Sequence, residues 1–286
     1  MSRPTIIHSF NTRPLAINCY DTGGFARMCG NIWYFALSMA YVRALGARIE
    51  LHTDSMGERL LGFLPYDAVH LTLDTMDADI SPRFWAAGKV LALEGAEPGS
   101  IHIDGDVFIK KPAVLEAIEA RPVAGLVVQH REPGYPSYGA EAMRFKAVGS
   151  TCADCGIDLA DTDNAYNTGF VGFRSQSLLR RWAEAYRTVA RAYTAAYRDE
   201  IDTDAFAGAT PDLITEQLAI FQLARAEGVE ACELLGDRAF DRAFTGALGY
   251  QHVPTMHKFT FLPRVKAILR ARFPEIYIKT SKICPV

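Results

Sequence analysis

The sequence lacks any run of about 18 apolar residues, the length that a membrane-spanning helix needs. Its first residues also lack the basic start followed by an apolar stretch that marks a secretory signal. The 286 residues include six cysteines, which are too few and too scattered for a disulfide framework. These features favour a soluble, cytoplasmic chain with reduced thiols.

The sequence has no excess of basic charge. Its formal net charge is −3 and its pI is about 6.2, which argues against nucleic acid as a partner. Basic residues gather only near the end, where residues 258–286 hold seven of them and one acidic residue. We expect residues 261–286 to form a basic helix that either contacts an anionic membrane surface or a phosphorylated ligand, or docks on the acidic remainder.

Apolar segments of strand length alternate with segments of helical periodicity along the first half of the chain. Such alternation predicts an α/β fold with a mixed, mostly parallel sheet flanked by helices, in a single domain. Residues 131–165 are polar and rich in glycine, and we expect them to form a long loop. Cys152 and Cys155 form one Cys-x-x-Cys pair without a second, so they indicate ordinary loop cysteines rather than a zinc site.

The sequence contains four Asp-x-Asp pairs, and only Asp104 and Asp106 stand between two apolar runs. The other pairs lie in polar stretches that are typical of turns and helix caps. Ile101–Ile103 precedes the framed pair and Val107–Ile109 follows it, which places the carboxylates where a core strand ends. Ligands of open α/β sheets bind at that end of the strands. Two carboxylates held together there require a cation, and hard oxygen donors suit Mn²⁺ or Mg²⁺.

A divalent ion held by few side chains keeps open coordination positions, which phosphate oxygens fill well. On a nucleoside diphosphate, such an ion stabilises the charge that develops on the leaving group during sugar transfer. The sequence therefore indicates a nucleotide-sugar site, with a transferred group that the residues themselves do not identify.

Six segments occur in an order that resembles the GT-A fold glycosyltransferases. The likeness is strongest to glycosyltransferase family 8 and to uncharacterised bacterial relatives with an HxDGDvFi pattern, and it spans roughly residues 5–260. The segments are LHTD (51–54), RFWAAGKVLAL (83–93), HIDGDVFIKKP (102–112), NTGFVGF (167–173), TEQLAI (215–220) and HVPTMHK (252–258). The resemblance implies a Rossmann-like GT-A domain over residues 1–260, with a nucleotide-binding half in 1–130 and an acceptor and sugar half in 131–260.

The resemblance further implies transfer of a hexose from a nucleotide sugar, a UDP-sugar, with retention of anomeric configuration and with Mn²⁺ (or Mg²⁺) as the cofactor. In family 8 the Asp-x-Asp carboxylates bind the metal, and a later HxxGxxK motif supplies a third ligand and a phosphate-binding lysine. Here His252 and Lys258 have that spacing, while Thr255 replaces the glycine. His257 is the alternative third ligand.

Other positions take candidate roles from the same resemblance. The donor-binding candidates are Asn11, Asp54, Lys89, Asp104, Gly105, Asn167, Gly169 and Lys258. The alternatives are an exposed lysine at Lys89, an N-cap at Asp54, and a turn residue at Asn167. The catalytic candidates are Glu216 and Gln217, which align with the pair facing the reacting carbon, and Asp212. Asp212, Glu216 and the acidic residues of 154–163 are candidates for the base that activates the acceptor.

Two other classes of function stay open. A haloacid-dehalogenase-type phosphatase also uses an Asp-x-Asp pair after an apolar strand, with the first Asp as nucleophile and the second as acid or base. A sugar-nucleotide binder without turnover is the non-enzymatic alternative. The sequence does not identify the acceptor. A surface polysaccharide or lipopolysaccharide would suit the basic tail, and action at the inner face of the membrane would follow from it.

Overall fold

A computed structural model describes residues 3–16, 24–121, 123–203, 206, 208–253 and 257–284. The main sheet has seven strands: β1 (Ile6–Phe10), β2 (Ile49–Thr53), β3 (Ala68–His70), β4 (Ile101–Ile103), β6 (Leu126–Pro133), β7 (Asn164–Phe173) and β8 (Ala231–Glu233). A second sheet pairs β5 (Val107–Ile109) with β9 (Tyr250–His252).

The main sheet is mixed. Its strand order is β3-β2-β1-β4-β7-β6-β8, and β7 runs antiparallel to both of its neighbours while the remaining pairs are parallel. The predicted α/β class with a mixed sheet flanked by helices is therefore confirmed. All five residues of β2 and all three of β4 are buried, as expected of strands in a sheet that is covered on both faces.

Eleven α-helices are described in the structured ranges given above. They are α1 (Gly24–Ala44), α2 (Ser55–Leu61), α3 (Ala87–Gly95), α4 (Ala113–Glu119), α5 (Pro136–Arg144), α6 (Gly149–Asp154), α7 (Gln176–Ala196), α8 (Ala219–Ala226), α9 (Arg242–Leu248), α10 (Lys258–Arg272) and α11 (Pro274–Ile283). A π-helical turn, Leu213–Leu218, leads directly into α8.

The helices cover both faces of the sheet. Because successive side chains of a strand point to opposite faces, Ile6 packs in the cluster around α1 and Ile7 packs in the cluster around α3 and α7. Helices α10 and α11 lie along α1, where Val265 and Leu269 of α10 are fully buried. Burial of such a side chain contributes about 1.5–3 kcal/mol. No helix of the described residues is long and apolar enough to cross a bilayer.

The expectation of a long loop over residues 131–165 is wrong. Strand β6 continues to Pro133, helices α5 and α6 follow, and β7 begins at Asn164. The physical reason is a set of apolar side chains at helical spacing within the polar stretch. Tyr138, Ala142, Phe145, Val148 and Cys152 are all buried, and the last four belong to the cluster that includes the core-facing residues of α7. Three- and four-residue intervals between these positions were the signal for helices.

Candidate functional site

The Asp104-Gly105-Asp106 turn connects β4 to β5. The amide of Asp104 donates to the carbonyl of Gly169 on β7 at 2.9 Å, and the amide of Val107 donates to the carbonyl of Asp104 at 2.9 Å. These bonds fix both ends of the turn. The two carboxylates thus lie at the carboxyl end of β4, where the sequence placed them.

His252 reaches this turn through strand pairing. In the β5–β9 ladder Val107 pairs with His252, and the amide of Val253 donates to the carbonyl of Asp106 at 3.1 Å. One ligand atom from each of Asp104, Asp106 and His252 lies within 4.8 Å of the others. Two carboxylates and an imidazole form a donor set that fits Mn²⁺.

The alternative ligand, His257, lies elsewhere. His257 is exposed at the residue before α10 and is not part of this cluster of described residues. Thr255, which replaces the family's glycine, lies outside the described residues. Of the two candidate histidines, the structure therefore brings His252 to the aspartates.

Lys258 controls the charge of Asp106. Its Nζ lies 2.9 Å from Asp106 Oδ2, while His252 Nε2 lies 3.6 Å from Asp106 Oδ1. Burial alone would raise the pKa of Asp106, but the charge of the Lys258 ammonium, together with the neighbouring His252, outweighs burial and lowers this pKa below its usual value. Asp106 is therefore a carboxylate at neutral pH, as a metal ligand must be.

Lys89 lies at the centre of a buried ionic network. Its Nζ contacts Asp104 Oδ1 at 3.0 Å and Glu216 Oε1 at 2.6 Å, and it donates to the carbonyl of Thr168 at 2.9 Å. Burial would lower the pKa of Lys89, but the two carboxylates raise it above its usual value, so the ammonium stays charged. Lys89 is only 2% exposed, and the alternative of an ordinary surface lysine does not hold.

Glu216 lies behind the cavity wall rather than in it. The side chain is fully buried, and its Oε1 also accepts from the hydroxyl of Thr168 at 2.7 Å. Burial raises the pKa of Glu216 despite the nearby Lys89 ammonium. Its neighbour Gln217 does line the cavity and accepts from the Tyr138 hydroxyl at 2.5 Å. Both residues belong to the π-helical turn, a feature that often occurs at functional sites.

Asp212 lies further from the aspartate turn and does not line the cavity. It accepts from the hydroxyl of Tyr186 at 2.7 Å and from the amide of Ala86 at 3.1 Å. Burial and the charge of Glu216 raise the pKa of Asp212 to about 7. Its bonds connect the start of α3 to α7. The acidic residues of 154–163 also lie outside the described cavity lining.

A cavity of about 300 Å³ opens above the aspartate turn. The two aspartates line it together with eight other predicted site residues, which are Asn11, Lys89, Gly105, Asn167, Gly169, Gln217, His252 and Lys258. Asn167 braces this wall, since its Oδ1 accepts from the amide of Gly169 at 3.1 Å and its Nδ2 donates to Glu132 at 2.7 Å. Most of the predicted donor-binding residues are thus brought together.

Asp54 is the donor-binding candidate that the structure places outside the described lining. Its carboxylate caps α2 by accepting from the amide of Gly57 at 2.7 Å. The other oxygen accepts from the amide and the hydroxyl of Thr12, each at 2.8 Å. The structure shows the capping alternative, in which Asp54 also fixes the segment after β1.

Sequence reasoning missed the aromatic part of the wall. The further lining residues are Ser9, Phe10, Pro14, Asn31, Tyr34, Phe35 and Trp85. Trp85 stands four residues before Lys89, whose Nζ lies 5.5 Å from the centre of the indole ring. Trp85 lies in the turn before α3, which begins at Ala87, so helical spacing does not explain its position, and the available signal was only its closeness to Lys89 along the chain.

Gly105 is required where the turn meets α1. A Cβ at this position would lie 2.5–2.8 Å from ring atoms of Phe35. We expect Gly105→Ala to cost about 1–3 kcal/mol of unfolding free energy, because overpacking must displace Phe35 or the turn. Weaker ligand binding should accompany this loss, because both residues line the cavity. Urea unfolding measures the cost, and Gly139→Ala is the control, since no atom lies within 4 Å of its added Cβ.

The solved structures that resemble this chain include three glycosyltransferases. Mouse xyloside xylosyltransferase 1, in its apo form, has 11% sequence identity and a TM-score of 0.41, with 88% of this chain and 98% of that chain covered. The apo WbbM bifunctional glycosyltransferase has 10% sequence identity and a TM-score of 0.37, with 68% of this chain and 37% of that chain covered. The galactosyltransferase LgtC, in complex with donor and acceptor sugar analogues, has 10% sequence identity and a TM-score of 0.35, with 80% of this chain and 72% of that chain covered.

At the level of sequence, no curated protein matches the chain. A protein family does match it, over residues 5–283, which is nearly the whole length. This chain therefore belongs to that family, which is described as "Family of unknown function (DUF6734)".

Proposed function

We propose that this protein is a metal-dependent glycosyltransferase that transfers a hexose from a nucleotide sugar, a UDP-sugar, to a hydroxyl of an acceptor. The observation that carries the proposal is the meeting of Asp104, Asp106 and His252 at the carboxyl end of β4, beside the ammonium group of Lys258. Carboxylates and an imidazole suit a divalent cation, and a lysine suits phosphate. A donor diphosphate needs both in one cavity.

Asp104, Asp106 and His252 would hold Mn²⁺ or Mg²⁺. When bound, that ion supplies Lewis-acid stabilisation of the negative charge on the departing diphosphate. Lys258 adds a positive charge from the start of α10, and Lys89 holds Asp104 in place. Tyr34, Phe35 and Trp85 form apolar walls that limit the access of water to the donor.

We propose retention of the anomeric configuration. Among the described residues that line the cavity, only Asp104 and Asp106 carry carboxylates, and both belong to the metal site. The lining therefore offers Gln217, an amide, and no further carboxylate to act as the general base of an inverting displacement or as the nucleophile of a double displacement. This arrangement favours attack by the acceptor on the face from which the diphosphate leaves.

The phosphatase alternative meets an electrostatic obstacle. In that mechanism Asp106 would have to carry a proton to the leaving group. The Lys258 ammonium, together with the neighbouring His252, lowers the pKa of Asp106, which keeps Asp106 ionised at neutral pH. A turnover-free binder shares the same donor contacts and differs only in activity.

A turnover assay separates these classes. The protein is incubated with Mn²⁺ and a panel of UDP-sugars, and the release of UDP is followed. We expect slow donor hydrolysis even without an acceptor, with no phosphate released from p-nitrophenyl phosphate. Proton NMR of the first sugar formed reports its anomer. Phosphate release alone would support the phosphatase, and metal-dependent binding without turnover would support the binder.

We extend the proposal to the acceptor and the place of action. Helices α10 and α11 carry the basic residues of the C-terminal segment and expose Phe259 and Ile278. Basic and apolar side chains together suit the surface of an anionic bilayer, and hence a lipid-linked or surface glycan acceptor at the cytoplasmic face. Cosedimentation with anionic vesicles tests this, and an equal association with neutral vesicles would contradict it.

A further inference from the structure

A second cluster of metal-ligand side chains lies on strands β2 and β3. Glu50 and His52 are two residues apart on β2, so their side chains share one face of the sheet. The parallel register pairs His52 with His70 on β3. One ligand atom from each of Glu50, His52 and His70 lies within 4.8 Å of the others, and His70 Nε2 lies 3.0 Å from Glu50 Oε2.

His52 supplies an independent observation. The side chain is 1% exposed, and its Nε2 is buried without a hydrogen-bond partner. Its Nδ1 is within hydrogen-bond distance of the Thr72 hydroxyl, at 3.1 Å. Buried ring nitrogens are normally satisfied, so the unpartnered Nε2 is an open position that a ligand can fill. A histidine whose second nitrogen is held by an outer partner is the usual arrangement in metal sites.

Glu50 is oriented in a similar way. The Arg48 guanidinium contacts Glu50 Oε1 at 2.5 Å and leaves Oε2 directed to His70. The His52 and His70 ring centres are 4.7 Å apart, with 31° between their planes. Ligand atoms of a tetrahedral Zn²⁺ site are about 3.3 Å apart at the usual bond lengths. The 3.0 Å between His70 Nε2 and Glu50 Oε2 is close to that value, and one ligand atom of His52 lies within 4.8 Å of both residues, so side-chain rotations can complete the set.

We propose that Glu50, His52 and His70 bind a divalent transition-metal ion of the Zn²⁺ type. Two imidazoles and one carboxylate suit Zn²⁺ or Co²⁺, whereas the aspartate pair at β4 suits harder ions. The His70 side chain is 42% exposed, which opens a fourth position to water. A bound ion would cross-link the edge strand β3 to its neighbour β2. None of the three ligands lines the donor cavity, so the proposal does not depend on the proposed activity.

The test uses the full chain with Asp106→Asn, which weakens the aspartate site. Calorimetry with Zn²⁺ is expected to give one bound ion per chain, and Co²⁺ is expected to give visible d–d bands typical of four-coordination. Adding His70→Gln should weaken the affinity at least about 100-fold, since even outer-shell changes cost 10–100-fold. Thr72→Val should weaken it about 10–100-fold by releasing His52. Zn²⁺ should raise the melting temperature only where the three ligands are intact.

His257→Gln is the matched control, because it removes an exposed histidine outside the cluster. The exposure of His70 makes its replacement compatible with folding, which far-UV circular dichroism checks. The proposal is overturned if the Asp106→Asn protein binds no Zn²⁺. It is equally overturned if His70→Gln and His257→Gln bind the ion alike, in which case Glu50 and His70 form an ion pair only. Neither outcome bears on the donor site, because no nucleotide sugar is used.

Discussion

Asp106→Asn is expected to reduce Mn²⁺-dependent UDP release by about 100- to 1,000-fold or more. Asparagine keeps the size of the side chain and loses the negative charge that binds the ion and pairs with Lys258. Because the lost charge is that of a metal ligand, the affinity for Mn²⁺ should fall. The measurement is the initial rate of UDP release over a range of Mn²⁺ concentrations.

Asp79→Asn is the matched control for this change. Asp79 belongs to another Asp-x-Asp pair, is exposed, and does not line the cavity. We expect its replacement to leave the rate unchanged. Full activity in a folded Asp106→Asn protein would contradict the assignment of the metal site.

Lys89→Met is expected to lower the free energy of unfolding by about 3–5 kcal/mol, because it leaves the buried Glu216 carboxylate without its cation. Methionine keeps much of the side-chain volume, so the loss reports charge rather than packing. Asp104 is 22% exposed and can recover part of its solvation from water, so the cost comes chiefly from Glu216. Urea unfolding at neutral pH measures the change.

A second replacement separates charge from other effects. The Lys89→Met/Glu216→Gln protein should be more stable than the Lys89→Met protein, because no buried charge then lacks a partner. Arg181→Met breaks a more exposed ion pair with Glu227, and we expect it to cost less than about 1 kcal/mol. A Lys89→Met cost as small as that of Arg181→Met would show that the buried network contributes little to stability.

The position of the aspartate pair could be predicted because its signal is local. The apolar segments on both sides of Asp104 and Asp106 indicate that the pair stands at a strand end. An acidic surface turn without a ligand would not need apolar segments on both sides. The α/β class followed from the same alternation of segments. His252 could not be found by local reasoning, because the β5–β9 pairing that brings it to Asp106 joins distant parts of the chain. The family resemblance supplied it, although assignment to family 8 itself stays a prediction.

The buried role of Lys89 also depends on distant contacts. Its partner Glu216 is 127 residues away, and the ammonium becomes buried only when the π-helical turn packs against β7. A lysine in a helical segment otherwise indicates a surface position. The Glu50, His52 and His70 cluster needed the register of β2 with β3, which periodicity alone does not fix. The helices in residues 131–165 were different, since their apolar spacing was present in the sequence.

The most direct test of the donor site is calorimetry of the unaltered protein with a panel of UDP-sugars, first with Mn²⁺ and then with EDTA. The structure predicts binding of at least one UDP-sugar with Mn²⁺ and a loss of that binding on chelation, because Asp104, Asp106 and His252 would contact the diphosphate through the ion. Equal binding in EDTA, or no binding of any nucleotide sugar, would contradict the account.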